Sequence, residues 1–282
     1  MMPEGPELKI SSDLINPLIQ NHIVIDAYPT DIGRYGKGNF PVGYESFIKS
    51  IKLGSCYIKQ VQVKGKFMYW SFSNDWYMFC TFGMTGQMSP ARGKHPCFVF
   101  QHVVSLNEMQ KYQEMYFNDP RHFGTIKFVQ GKPALEEKLS ELGWDPLARS
   151  IQEWGAFIHT RVRVSKKTIA ELLMNQSLFA GVGNYIRAEA LYLSKLSPWR
   201  TGNSLNSDEI DRLQQAIVDV MKDSYDHQGA TILTYKDAYG AEGKYSSCFK
   251  VYGQKTDPLG NKITKETAAD GRTIHWSPAV QI

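Results

Sequence analysis

Between His22 and Val129 the chain runs in short alternating apolar pieces broken by turn residues, and from Ile151 its apolar period lengthens. That change of period constrains the fold most, because strand faces repeat every two residues and helix faces every 3.6. The pieces HIVIDAY, YIKQVQVK, KFMYWSF, WYMFCTF, CFVFQHVV and TIKFV, punctuated by Gly, Asn, Asp and Pro, predict a mostly antiparallel sheet system, sandwich or barrel. Helical patterns flank it at Pro6 to Gln20 and Ala134 to Leu142. Four more follow: IQEWGAFIHTR, KKTIAELLMNQ, NYIRAEALYLSKL and SDEIDRLQQAIVDVMKDSY. Ser207 is the expected cap of the last, with Asp208 and Glu209 favourably placed on its dipole. Past Gly229, glycine and polar residues surround the strand-like pieces CFKVYG, KITKE and RTIHW. The expectation is an α+β chain: a β-rich part, a helical part and a hairpin-like appendix.

Composition narrows the class. A length of 282 residues suits two domains or one large one. Lys plus Arg number 32 against 28 Asp plus Glu, a net +4 that permits nucleic acid as a partner without demanding it. No apolar run approaches the roughly 18 residues of a membrane span, and MMPEGPEL is too acidic and proline-broken for a signal peptide. Cys56, Cys80, Cys97 and Cys248 are scattered with no C-x-x-C pair, which points to reduced thiols and an intracellular, soluble protein. A cysteine-bound zinc site is excluded on count and spacing, so the expected metal is none.

Three places carry candidate chemistry. The loop SLFAGVGN delivers Gly181, Gly183 and Asn184 to the start of a helix, where free N–H groups and the helix dipole make either an anion site or a plain helix corner. Pro3, Glu4, Pro6 and Glu7 crowd the N-terminus. If the methionines are removed, Pro3 carries a secondary amine with a pKa of roughly 8, nucleophilic at neutral pH, beside a carboxylic acid able to protonate a departing oxygen. The same residues also make an ordinary, chemically silent helix start. Finally, turns present Lys66, Met84, Arg121 and Phe123; an Arg, a Phe and a Met could fill the hole left by an extruded base, or simply pack their loops.

The order of PEGPE, GKF, FGMTG, NDPRHFGTIKF, LLMNQSLFAGVGNYIRAEAL and KVYGQ resembles the formamidopyrimidine-DNA glycosylase and endonuclease VIII family along nearly the whole chain. The resemblance implies an N-terminal antiparallel β-sandwich domain with flanking helices (1–145), a helix–two-turn–helix DNA-binding domain (146–243) and a finger (244–282). It implies a bifunctional DNA glycosylase and abasic-site lyase of base excision repair, needing no cofactor and acting as a monomer on damaged DNA, double- or single-stranded, with the base flipped out. Pro3 would form a Schiff base with sugar C1′, Glu4 would open the deoxyribose ring, and Glu7 would lie near that centre. Lys66 would contact DNA beside the lesion and assist catalysis, Met84, Arg121 and Phe123 would fill the void, and Asn184 would hold a phosphate. The segment 229–247 stands where the family carries a lesion-capping loop.

Two departures matter. Most bacterial members end in a four-cysteine zinc ribbon, whereas no cysteine follows Cys248 here. The remaining hairpin outline, with turns at Pro258–Asn261 and Asp270–Gly271, looks like the zinc-less finger of endonuclease VIII-like enzymes. That likeness carries the finger arginine, a phosphate and elimination residue, onto Arg272. The segment from Lys244 has six basic and three acidic residues, which suits phosphate. The zinc-less finger leans the substrate towards oxidised pyrimidines and formamidopyrimidines. Second, Pro3 follows two methionines, so the working protein is expected to begin at Pro3; a blocked Pro3 favours a catalytically silent damaged-DNA-binding protein of the same fold.

Overall fold

A computed structural model describes residues 3–53, 55–105, 111–230 and 237–282. Met1 and Met2, whose removal would free Pro3, lie outside the described residues, as do positions 231–236 of the segment expected to cap a lesion. Packing divides the chain into two compact units. The first holds Met1–Pro3, Glu7–Ser140 and Ala230–Gly243; the second holds Glu4–Pro6, Glu141–Gly229 and Lys244–Ile282.

In the first unit eight strands make two antiparallel sheets. One runs in the order β1 (Ile23–Pro29), β6 (Pro96–Val103), β7 (Gln113–Asn118), β5 (Gln87–Ser89). The other runs β2 (Ile58–Lys64), β3 (Phe67–Phe72), β4 (Trp76–Thr81), β8 (Thr125–Gln130). Residues two apart on each strand share one buried face, and these faces form a single core: Phe98 and Phe100, Met115 and Phe117, Trp70 and Phe72, Met78 and Cys80, Ile126 and Phe128. The sandwich reading holds. Each such side chain contributes about 1.5–3 kcal/mol when buried.

Helices flank the sheets. The sequence did not announce α2 (Tyr44–Lys52), which places Phe47 flat on Phe128 with ring centroids 4.4 Å apart. Helix α1 (Gly5–Ile19) buries Leu8, Ile15 and Ile19 in the same core. Asn16 fastens it to β2 like a strand partner, donating to Val61 O and accepting from Val61 N, both at 2.8 Å. Helix α3 (Lys132–Ser140) follows β8.

The second unit holds α4 (Ile151–Arg163), α5 (Ile169–Met174), α6 (Asn184–Leu193) and α7 (Ser207–Asp226), then the hairpin β9 (Thr264–Thr267) and β10 (Thr273–Trp276). Tyr185 to Tyr192 of α6 are all buried, so this helix is the centre of the unit. Asn206, not Ser207, caps α7: its side chain accepts from Glu209 N while Glu209 accepts from Asn206 N, a reciprocal box. CFKVYG is not a strand, for a reason given below. Among the described residues no helix is long and apolar enough to cross a membrane.

Candidate active site and phosphate-binding elements

The glycines of the SLFAGVGN loop serve close approach. A Cβ on Gly183 would sit 2.2 Å from Glu4 Cδ, and Gly5 N donates to Gly181 O at 3.0 Å. Glu4, only 1 % exposed, therefore reaches the N-terminus of α6, accepting from Tyr185 N at 3.1 Å and Ile186 N at 3.4 Å. At this helix start, which the sequence left open between an anion site and a plain corner, these two N–H groups are taken by the chain's own carboxylate.

In the first unit Pro3 is buried. Glu7 opens α1, 1 % exposed, and its Oε1 accepts from Ala230 N at 2.8 Å. The carboxylate near the N-terminus thus also anchors the residue at which the 231–236 segment starts. Lys66 stands half-buried on the β2–β3 turn, where Gly65 takes a left-handed φ of 59°.

Met84, Arg121 and Phe123 lie on two turns packed against each other. A Cβ on Gly83 would meet Phe123 Cβ at 2.8 Å and Gly124 N at 3.0 Å, so only glycine allows the approach. Buried Asp119 ties the turns together. It accepts from Thr85 Oγ1 at 2.7 Å, from Gly124 N at 2.6 Å and from Arg121 N at 3.3 Å. The Arg121 guanidinium lies 5.0 Å over the ring of Phe123, itself 51 % exposed. Nothing in the sequence assigns Asp119 this task; its bonds go to backbone N–H groups and a hydroxyl.

Asn184 and Arg272 belong to one network in the second unit. Asn184 Nδ2 donates to Thr273 O at 3.0 Å, and its Oδ1 accepts from Arg187. Arg187 also donates to Asp270 Oδ2 and to Ala170 O, each at 3.3 Å. Asp270 in turn accepts from Arg272, by the backbone N at Oδ1 and the guanidinium at Oδ2, both at 3.0 Å. Burial would raise the Asp270 carboxyl, but the Arg272 N–H and guanidinium, with Arg187, hold it below its ordinary value. The sequence marked Asp270 only as a turn residue and did not mark Arg187; they are 83 residues apart and only the fold pairs them.

The finger does not fit zinc. Three of the four cysteines are buried in the sandwich, and among the described residues no group of three or more His, Cys, Asp or Glu could hold a metal ion. A carboxylate does comparable work at its root. Glu189 of α6, 1 % exposed, accepts from Lys250 N, Val251 N and Tyr252 N at 2.8–2.9 Å. Burial pushes its pKa up, against the pull of those three donors. With their N–H groups spent on Glu189, residues 250–252 have none to give a ladder, and CFKVYG turns instead of pairing as a strand.

The sequence matches the formamidopyrimidine-DNA glycosylase N-terminal domain over residues 2–126 and the formamidopyrimidine-DNA glycosylase H2TH domain over residues 142–236. A formamidopyrimidine-DNA glycosylase of Herpetosiphon aurantiacus is 35 % identical across 79 % of this chain and 81 % of its own length. One from Lactiplantibacillus plantarum is 30 % identical across 99 % of both. Among solved structures, MutM (Fpg) of Thermus thermophilus superposes with a TM-score of 0.82 at 25 % identity, covering 99 % of this chain and 98 % of that one. A point mutant of Lactococcus lactis Fpg, seen with Fapy-dG-containing DNA, gives 0.82 at 24 % identity over 99 % of both chains. Two matched domains, relatives that run the length of the chain and the antiparallel sandwich followed by buried helices converge on one answer: the chain belongs to the formamidopyrimidine-DNA glycosylase and endonuclease VIII family.

Proposed function

We propose that this DNA glycosylase of base excision repair is bifunctional, removing an oxidised base through Pro3 and then cutting the strand. The Pro3 nitrogen attacks C1′, the base departs with the glycosidic electron pair and takes up the proton shed by the Pro3 nitrogen, and Glu4 protonates the ring oxygen so that the sugar opens to a Schiff base. Loss of the C2′ proton then expels the 3′ phosphate, δ-elimination expels the 5′ phosphate, and water releases Pro3. The observation that carries this reading is Glu4, adjacent to Pro3, buried and held by the first N–H groups of α6. An acid fixed beside a nucleophile removes the orientational cost of the first step.

Damaged DNA is the partner. Met84, Arg121 and Phe123, on turns tied by Asp119, occupy the space of the extruded nucleotide. Lys66 contacts DNA beside the lesion, Glu7 supports the centre, and Asn184 and Arg272 hold phosphate. The division into sandwich (1–145), helix–two-turn–helix (146–243) and zinc-less finger (244–282) gives each task its element. The substrates are oxidised pyrimidines and formamidopyrimidines; the Lactococcus lactis protein of similar fold is seen with DNA of both kinds.

The test is a set of duplexes carrying one oxidised pyrimidine, one formamidopyrimidine, one abasic site or none. Cleavage at lesions, leaving phosphate on both sides of the gap, supports the reading. The rival is a catalytically silent binder, favoured by the two methionines ahead of Pro3. It predicts retarded lesion DNA with every strand intact.

A further inference from the structure

Arg187 is an arginine with no water to face. Its side chain is 1 % exposed, and its guanidinium pairs with the Asp270 carboxylate at 3.3 Å. Burying a guanidinium is costly unless its charge and hydrogens are matched, and the match here is partial: Nε has no hydrogen-bond partner among the described residues. Burial pushes its pKa down, and Asp270 opposes that. A methionine would fill such a place at less cost, so the guanidinium calls for a reason beyond packing.

Two consequences of its placement supply one. A guanidinium donates and never accepts, so Asn184 must turn its oxygen towards Arg187. The amide nitrogen then faces the finger, bonding Thr273 O, and Asn184 is also hydrogen-bonded to the Tyr252 hydroxyl. Charge is the other consequence. Asp270 binds the Arg272 guanidinium by Nη1 alone, leaving it half-exposed with hydrogens that have no partner among the described residues. A carboxylate so close would cancel the charge that Arg272 offers an anion. Arg187 on the far side of Asp270 neutralises it first, and the trio keeps a net +1 directed at solvent.

We propose that Arg187 and Asp270 are positioning residues that set Asn184 and Arg272 as one phosphate grip, Asp270 by holding Arg272 and Arg187 by orienting Asn184 and cancelling the charge of Asp270. The inference rests on the reading of Asn184 and Arg272 as phosphate contacts. It couples helix and finger through a closed circuit: hydrogen bonds from Arg187 to Asn184 to Thr273, the chain itself from Thr273 to Arg272, and hydrogen bonds back through Asp270.

The probe is a duplex carrying a tetrahydrofuran abasic-site analogue, its Kd measured with full-length protein over a salt series, with thermal unfolding recorded for every variant. Arg272→Ala is expected to weaken binding about tenfold and to flatten the log Kd against log salt slope by about 0.9. Arg187→Met is expected to cost a similar factor. The double variant Arg187→Met/Asp270→Asn is expected to recover the part of that loss that comes from the uncancelled carboxylate, and so to bind more tightly than Arg187→Met alone. In the Arg272→Ala background, Arg187→Met is expected to cost clearly less than in the parent, the remainder being the share that passes through Asn184. A merely structural Arg187 would lower the unfolding temperature with no rescue by Asp270→Asn and with equal effects in both backgrounds, and that overturns the proposal. Should Arg272→Ala bind like the parent, the phosphate reading itself fails and the inference falls with it. A loss in Arg272→Ala with unaltered binding in Arg187→Met sinks the inference alone.

Discussion

The sandwich and the finger solve the same problem, ordering a β structure, by opposite means. The sandwich closes over aromatic and aliphatic side chains, with Trp70 stacked 5.0 Å from Phe100 and Phe47 on Phe128. The finger root has small apolar clusters, Val251 and Ile263 with Ala188 and Tyr192, and Ala268 and Ile274 with Ala170. What it has instead are buried polar groups that collect backbone N–H donors. Glu189 takes three. Asp257 takes Leu259 N, Asn261 N and the Ser277 hydroxyl at 2.8–2.9 Å. Gln281 accepts from Ser277 N and donates to Leu196 O. A segment too small to bury a core can still be specified if each buried acceptor is fully used.

The contrast can be broken from either side. Phe100→Ala, at a fully buried sandwich position, should cost the first unit about 4 kcal/mol by denaturant unfolding. Less than about 1 kcal/mol would mean that packing is not what holds it. Glu189→Ala should cost about 3 kcal/mol, felt as faster hydrogen exchange at the amides of residues 250–252 while sandwich amides stay protected. Unchanged exchange there would remove the carboxylate from the account.

Acid should separate the two regions next. His102, 2 % exposed, shares a 2.9 Å Nδ1 to Nδ1 bond with His22, and burial, then His22, push its pKa down to about 4. A histidine lowered on folding contributes stability present above its unfolded value of about 6.5 and lost as pH falls towards the native value, here about 3 kcal/mol in all. The sandwich should therefore weaken between pH 6.5 and 4, and His102→Phe should flatten that slope. Asp257 and Asp270 are held below the ordinary carboxyl value, Asp257 against burial by Asn261 and Ser277. Their contribution persists down to about pH 3.9 and disappears only below it. Finger amides that lose protection before sandwich amides on acidification would reverse the picture. The smallest effect expected is about 1 kcal/mol for Ser277→Ala, one hydrogen bond to Asp257, measured by exchange at the finger.

The sheet-rich part and the long helices were legible because period alone reports them. So were the turns of Lys66, Met84, Arg121 and Phe123, whose glycines sit beside them in sequence. Helix α2 was not, since Phe47 and Ile51 give a single turn of apolar spacing inside a run dominated by strands. The cap of α7 was misplaced by one residue because Asn206 and Ser207 are equally good caps and only the bond to Glu209 decides. The supports were invisible for a deeper reason. Asp119, Glu189, Arg187 and Asp270 act on backbone groups or on partners distant in sequence, and a charged residue in a string looks like surface until its neighbours are known.

Everything proposed about chemistry turns on the amine of Pro3. The direct measurement is to incubate the protein with abasic-site DNA and borohydride, isolate the crosslinked species, and map the attached residue beside the intact mass of the free protein. A covalent adduct on Pro3, in a chain that begins at Pro3, is the expected result. DNA that is bound but never crosslinked, or an adduct on a lysine in a chain that keeps Met2, would contradict it.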